Sequence, residues 1–311
     1  MRNSPLFPLS YFSIPSQMID SFVSYLQYEK RSSSHTVEAY ERDLLQFQEF
    51  ISLSFEQSDL SLAGHSEIRA WIIDLVEQGL STTSVNRKLA TLRSFYKFLL
   101  RGEHISQDPT YKLKSLKNPK KLPEFVQESS IQDVLESDVY EPGFEGQRDK
   151  MILEFLYLTG VRLSELIGLR WTDLDLPQMQ VRVLGKRKKE RVIPLSKGLI
   201  QNIISYRKVF EERFPDLGQN PYFIVTNSGK KSYPMMVYRT VRQYLDRFAQ
   251  TSKRSPHVLR HTFATHLLNK GADLNAVKDL LGHANLAATQ VYTHNSMEKL
   301  KAVFEQAHPK A

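Results

Sequence analysis

Residues 257–294 read HVLRHTFATHLLNKGADLNAVKDLLGHANLAATQVYTH, and the fold turns on how this run is parsed. Pro256 stands at a first helical position and Gly271 at an exit, which predicts a helix from Pro256 to Lys270. A second helix is predicted from Leu274 to Leu281. The chain then places Tyr292 between His283 and His294. His257 and Arg260 are three apart and share a face near the first helix's N-terminus, where free N–H groups and the dipole favour an anion such as phosphate. A tyrosine in an apolar helical stretch is ordinarily a packing residue, so only its company can argue that Tyr292 is a nucleophile.

Composition narrows that company. The chain has 311 residues, 41% of them hydrophobic, enough for two domains with proper cores. It carries 42 Lys+Arg against 34 Asp+Glu, a formal charge of +8, which favours a polyanionic partner such as nucleic acid. The absence of cysteine excludes disulfides, thiolate metal sites and cysteine nucleophiles, and fits a reducing compartment. The N-terminal MRNSPLFPLSYFSIPSQ has no signal-peptide core, and no apolar run approaches a membrane span, so a cytoplasmic protein is expected.

Upstream, helical spacing predicts a four-helix bundle over 12–105. Its apolar positions are Ile19, Phe22, Val23 and Leu26, then Val37, Tyr40, Leu44, Phe47 and Ile51. A third helix carries Ile68, Trp71, Ile72 and Leu75, and a fourth carries Val85, Leu89, Leu92, Tyr96 and Leu99. On the fourth, Arg93, Lys97 and Arg101 recur every four residues, a stripe able to track a phosphate backbone or to serve as a solvated face. Residues 106–122 then read as a basic linker containing Lys117 and Lys120, suited to a clamp around a duplex or to a plain spacer. From 123 to 311 the chain is mostly helical, with helices expected around Asp149 to Leu158, Ser164 to Leu169, Gly198 to Phe210 and Met236 to Ala249. The one strand pair is VRVLGKRKKERVIPL, Val181 to Leu195. The whole reads as a mainly α, two-domain protein with a small β-hairpin.

Other residues can meet an anion. Arg162, in TGVRLSELIGLRWTDLD, precedes an apolar helix and can offer its planar fork to a phosphate, with Glu165 holding it. The hairpin turn offers Lys186, Lys188 and Lys189. A metal is a weaker reading: His257 and His261 have the spacing of two helical ligands, but no glutamate lies between them and Asp273 and Asp279 fit no ligand pattern.

The order of these blocks resembles the tyrosine recombinase, or phage-integrase-like, family. The order is Arg, a hairpin Lys 24 residues on, His-x-x-Arg, Gly-His, then Tyr nine residues later. TGVRLSELIGL, the run 257–294, the ending AHPK, and the upstream SSSHTVEAYERDLLQF and NRKLATLRSFYKFL resemble the bacterial Xer subgroup, from about Met18 onward. The resemblance implies a SAM-like DNA-clamping bundle and a catalytic domain that works without cofactor or metal. Its catalytic set would be Arg162, Lys186, His257, Arg260, His283 and Tyr292. The lysine turn departs from many relatives, because Arg187 stands where they carry glycine. The resemblance also implies double-stranded DNA as substrate, a homo- or hetero-tetramer on two duplexes joined through the C-terminal helix, a second Xer-type subunit and a DNA translocase. Rival roles are an integrase or invertase of a mobile element, a type IB topoisomerase, and a DNA-binding regulator that has lost catalysis.

Overall fold

The computed structural model describes residues 14–118, 124–185, 190–218, 221–248 and 254–282, with side chains from residue 17 onward. The chain divides into two compact units, Met1–Lys121 and Leu122–Ala311.

The first unit is a bundle of α1 (Ile14–Ser24, continued by a π-helical turn Tyr25–Glu29), α2 (Ser34–Phe55), α3 (His65–Glu77) and α4 (Thr82–Arg101). Short polar side chains set the helix starts. Ser33 Oγ accepts from Thr36 N, Ser81 Oγ accepts from Ser84 N, and Glu67 Oε2 accepts from Gly64 N, each supplying a partner to a free N–H at a helix N-terminus. Phe22, Phe47, Trp71, Phe95, Tyr96 and Leu99 fill the core, and the buried Tyr96 hydroxyl donates to Leu60 O at 2.9 Å.

The basic stretch after α4 does not hang free in its described part. Asn86 uses its side-chain amide like a strand edge: Nδ2 donates to Leu116 O at 2.9 Å and Oδ1 accepts from Leu116 N at 2.8 Å. Arg93 donates to Leu113 O at 2.6 Å and to Ser115 Oγ at 3.2 Å. Leu113 and Leu116 thereby rest on the bundle core, while Lys112, Lys114 and Lys117 stay exposed.

In the second unit α6 (Phe144–Thr159) is central, its last nine residues all buried. Around it lie α5 (Glu128–Glu136), α7 (Leu163–Gly168), α8 (Lys197–Arg213), α9 (Pro234–Phe248), α10 (Pro256–Asn269) and α11 (Leu274–Leu281). The hairpin expected at Val181 to Leu195 is part of a three-stranded antiparallel sheet, β1 (Leu174–Asp175), β2 (Gln180–Leu184) and β3 (Glu190–Pro194), in that order. In its register Val181 faces Ile193 and Val183 faces Arg191, all four buried. Two elements went unpredicted: α5, a nine-residue helix with three buried apolar positions beside the lysine- and proline-rich stretch, and the two-residue β1.

The end of α6 fixes the geometry beneath the site. Gly160 adopts φ +61°, and a Cβ there would lie 2.4 Å from Phe263 Cδ1 and 2.9 Å from Leu281 Cδ2. Gly160→Ala meets both a left-handed backbone and a closed packing space, and is expected to cost about 2–4 kcal/mol. A thermal melt should fall by roughly 5–15 °C. An unchanged melt would show that the α6–α10 junction yields freely.

Candidate active site

Three arginines from three elements converge on the end of α11. The last carbonyls of a helix have no partner within it. Here Arg191 Nε donates to Leu280 O at 2.8 Å, Arg260 Nη2 to Leu281 O, and Arg162 Nη2 to Gly282 O at 2.9 Å. Gly282 closes the helix at φ +62°, and a Cβ there would approach Arg191 Cδ to 3.2 Å. Arg260 also donates to the carbonyl of Gly160, so α6, α10 and α11 meet at one guanidinium.

A single carboxylate orders this cluster. Glu165 sits in the first turn of α7, where Arg162 N donates to its Oε2 at 2.7 Å and Arg162 Nη1 to its Oε1 at 2.8 Å. From β3, Arg191 grips it two-pronged, Nη1 to Oε1 and Nη2 to Oε2, both 2.8 Å. Glu165 is 3% exposed and Arg191 5%, so this ion pair is out of water, whereas Arg162 is 33% exposed and can meet a ligand. Burial alone would push the Glu165 carboxyl up, but the charged hydrogen bonds from Arg191 and those from Arg162 hold it down at about 2.

The charges do not balance. Burial first, and then the neighbouring cations Arg162 and Arg191, lower the Arg260 guanidinium to about 10, against the one opposing influence of Glu165. Three guanidiniums around one carboxylate leave two positive charges uncompensated among the described residues, the field of an anion site.

Of the residues expected at the site, the structure brings Arg162, Glu165 and Arg260 together. His257 is exposed in the first turn of α10, one residue after Pro256, while Arg260 on the same helix turns inward. His261 is also exposed, and among the described residues no group of three potential ligands could hold a metal ion. Lys186, Lys188, Lys189, Lys120, His283 and Tyr292 lie outside the described residues. Lys97, Arg101 and Lys117 are exposed on the first unit, with Arg101 Nη1 donating to the Tyr25 hydroxyl at 2.8 Å, and the Arg93 guanidinium is bound to the 113–115 segment.

The sequence reading missed Arg191. Strand alternation places it in line with Ile193, at a position where an apolar residue belongs, and an arginine there needs a buried acid. That alternation was the available signal; the charged turn beside it hid the residue.

Most of the chain is similar to known proteins. Residues 124–299 match the model of the phage integrase family, and residues 19–103 match the phage integrase N-terminal SAM-like domain. The chain is 39% identical over 294 residues to the tyrosine recombinase XerC of Staphylococcus carnosus, covering 94% of this chain and 97% of that one. It is 34% identical over 294 residues to the tyrosine recombinase XerD of Staphylococcus aureus, covering 94% and 99%. Among solved structures, the XerH site-specific recombinase bound to a palindromic difH substrate in a post-cleavage complex superposes with a TM-score of 0.71 at 20% identity, over 93% of this chain and 83% of that one. The Tn1549 transposon integrase in complex with transposon right end DNA gives 0.67 at 20% identity, over 93% and 98%. At that identity the two structures speak for the fold alone.

The ordinary carboxyl value is 4.5 and that of Glu165 about 2, a depressed group. Its contribution is therefore complete above about pH 4.5 and is lost as pH falls toward 2; the shift amounts to about 3 kcal/mol. Glu165→Gln is expected to melt well below the parent chain at pH 7, and the gap should narrow through that acid window. A gap constant from pH 7 to pH 3 would show that charge is not what Glu165 contributes.

Proposed function

The chain belongs to the phage integrase family of tyrosine recombinases and is a site-specific recombinase of the Xer type, and we propose that Tyr292 is its nucleophile, served by Arg162, Arg260, His283, His257 and Lys186. One observation carries the reading. The carbonyl of Gly282, covalently joined to His283 and ten residues before Tyr292, accepts from Arg162 Nη2 at 2.9 Å, inside a cluster with surplus positive charge.

The chemistry suits that cluster. A phosphodiester's negative oxygens repel a nucleophile and gather charge in the transition state. Arg162 and Arg260, each with five N–H donors of which some are spent on protein partners, would hold those oxygens, with His283 adding a donor. Tyr292 Oη would form a bond to phosphorus as the P–O5′ bond breaks, its proton passing to His257, while Lys186 protonates the departing 5′ oxygen. The 3′-phosphotyrosyl bond conserves the energy of the phosphodiester. A second 5′-hydroxyl can then attack it, with His257 returning the proton to the tyrosine, and neither ATP nor a metal is consumed.

On this reading the substrate is double-stranded DNA at a dedicated site, and the protein works in the cytoplasm. Among the described residues no helix is long and apolar enough to cross a membrane. Residues 12–105 would bind DNA, 106–122 would link, and 123–311 would catalyse. Four copies, or two of each of two Xer-type subunits, would act on two duplexes, each passing a C-terminal helix to a neighbour; Met297, Leu300, Phe304 and Ala307 stand at i, i+3, i+7 and i+10 in the sequence, the spacing such a helix would need for one apolar stripe. Resolution of chromosome dimers under a DNA translocase is the role that fits relatives named XerC and XerD.

Tyr292→Phe should bind DNA as the parent does and give no covalent adduct on a nicked suicide substrate; a persisting adduct would move the nucleophile elsewhere. Lys186→Ala should fail on ordinary DNA and recover on a 5′-bridging phosphorothioate, whose thiolate leaves without a proton. Rescue of Lys188→Ala instead would place the general acid two residues on.

A further inference from the structure

The first unit contains a second buried carboxylate that gathers cations. Asp43, on α2, is fully buried, yet four donor contacts from α4 reach it. Arg87 Nη2 donates to Oδ1 at 3.0 Å and Arg87 Nη1 to Oδ2, Lys88 Nζ to Oδ1 at 3.0 Å, and Thr91 Oγ1 to Oδ2 at 3.0 Å. The Lys88 ammonium, 7% exposed and 5.5 Å from the centre of the Trp71 ring, also donates to Gln46 Oε1. Two of the side chains so held come to the surface: Arg87 is 43% exposed and Gln46 is exposed.

The geometry leaves defined chemistry outside. The carboxylate occupies the end of the Arg87 fork, so the edge formed by Nε–H and one Nη–H stays available, and that edge can bond two acceptors at once. Lysine has only donors, so the Gln46 atom facing Lys88 is its oxygen, and the two amide N–H groups are left for an acceptor. Around them, Thr83, Arg87, Ala90, Lys97 and Arg101 are exposed and Ser94 half-buried, at i, i+4, i+7, i+14, i+18 and i+11 along one face of α4. That helix contains no acidic residue. Small residues between cations let a surface come close. The free edge of Arg87 and the amide N–H groups of Gln46 present donors, and the major-groove edge of guanine, with N7 and O6, presents two acceptors.

We propose that Arg87 and Gln46 read bases in the recombination site, with Arg87 taking a guanine through its Nε edge, and that buried Asp43 and Lys88 are positioning residues that fix both readers before DNA arrives. This rests on the family-based reading that the chain acts on duplex DNA. A fork held by a buried carboxylate does not lose rotamer freedom on binding, and a swing to a neighbouring phosphate would break its bonds to Asp43.

Selection of bound duplexes from a random pool with the full chain, followed by titration of single-base variants against non-specific DNA, tests the proposal. Arg87→Ala should abolish the preference for guanine at one position of the selected motif, a loss of about ten- to a hundred-fold, and leave the preferences at the other positions unchanged, while non-specific affinity falls only as the loss of one charge requires. Arg87→Lys keeps the charge and should lose the same preference with the salt dependence preserved. Asp43→Asn should lose it too, and adding it to Arg87→Ala should cost no further specificity, a coupling that a merely structural role would not produce. If Asp43→Asn does not fold, the exposed Arg87 and Gln46 variants decide. Gln46→Ala should relax a neighbouring position. A parent motif that Arg87→Ala and Arg87→Lys read unchanged overturns the inference alone, as does a folded Asp43→Asn that only melts lower. A parent chain that enriches no motif overturns the DNA-site reading beneath it.

Discussion

The Glu165 carboxylate is the point on which the second unit's chemistry hangs. Two charged hydrogen bonds from Arg191 and two from Arg162 fill its lone pairs, and these same two guanidiniums hold the end of α11. Removing it would leave Arg191 buried with no acid and Arg162 free to change rotamer, the situation in which a buried charge becomes costly. The acid does more than neutralise: it decides which way the cations face. Because it is one and they are three, the cluster is left short of negative charge at a spot lined with N–H donors, and a phosphodiester can supply it.

Asp43 in the first unit follows the same physics with a different outcome. There the acid faces an arginine, a lysine and a hydroxyl, and a partly exposed fork is pinned at the surface. In both places a carboxylate sealed from water orders long basic side chains that would otherwise sample many rotamers, which is the entropy that binding DNA would have to remove. An arginine and a lysine differ here because only the planar fork carries orientation.

Much of this was legible in the chain. Pro256 and Gly271 marked α10, the run Leu274 to Leu281 read as α11, and the apolar spacing through Ile51 and Leu99 gave the bundle, because each signal is local. The order of Arg162, His257, Arg260, His283 and Tyr292 pointed to the family with no geometry at all. What escaped depended on partners distant in sequence. Arg191 is meaningful only beside Glu165, 26 residues away, and Arg87 only beside Asp43, 44 residues away. Arg93 carries the spacing of a stripe with Lys97, and its bond to Leu113, 20 residues further on, has no local signal. The nine-residue α5 carries the helical spacing Ile131, Val134 and Leu135 and was passed over beside the lysine- and proline-rich stretch, whereas the two-residue β1 has no period to read.

The way α11 ends has a mechanical corollary. Guanidiniums from the residue before α7, from β3 and from α10 clamp the carbonyls of Leu280, Leu281 and the closing Gly282, so these bonds fasten the polypeptide to the domain as far as Gly282. The Gly282 carbonyl, 2.9 Å from a donor of Arg162, ties the place where the helix ends to the aim of that guanidinium, so a shift of one is a shift of the other.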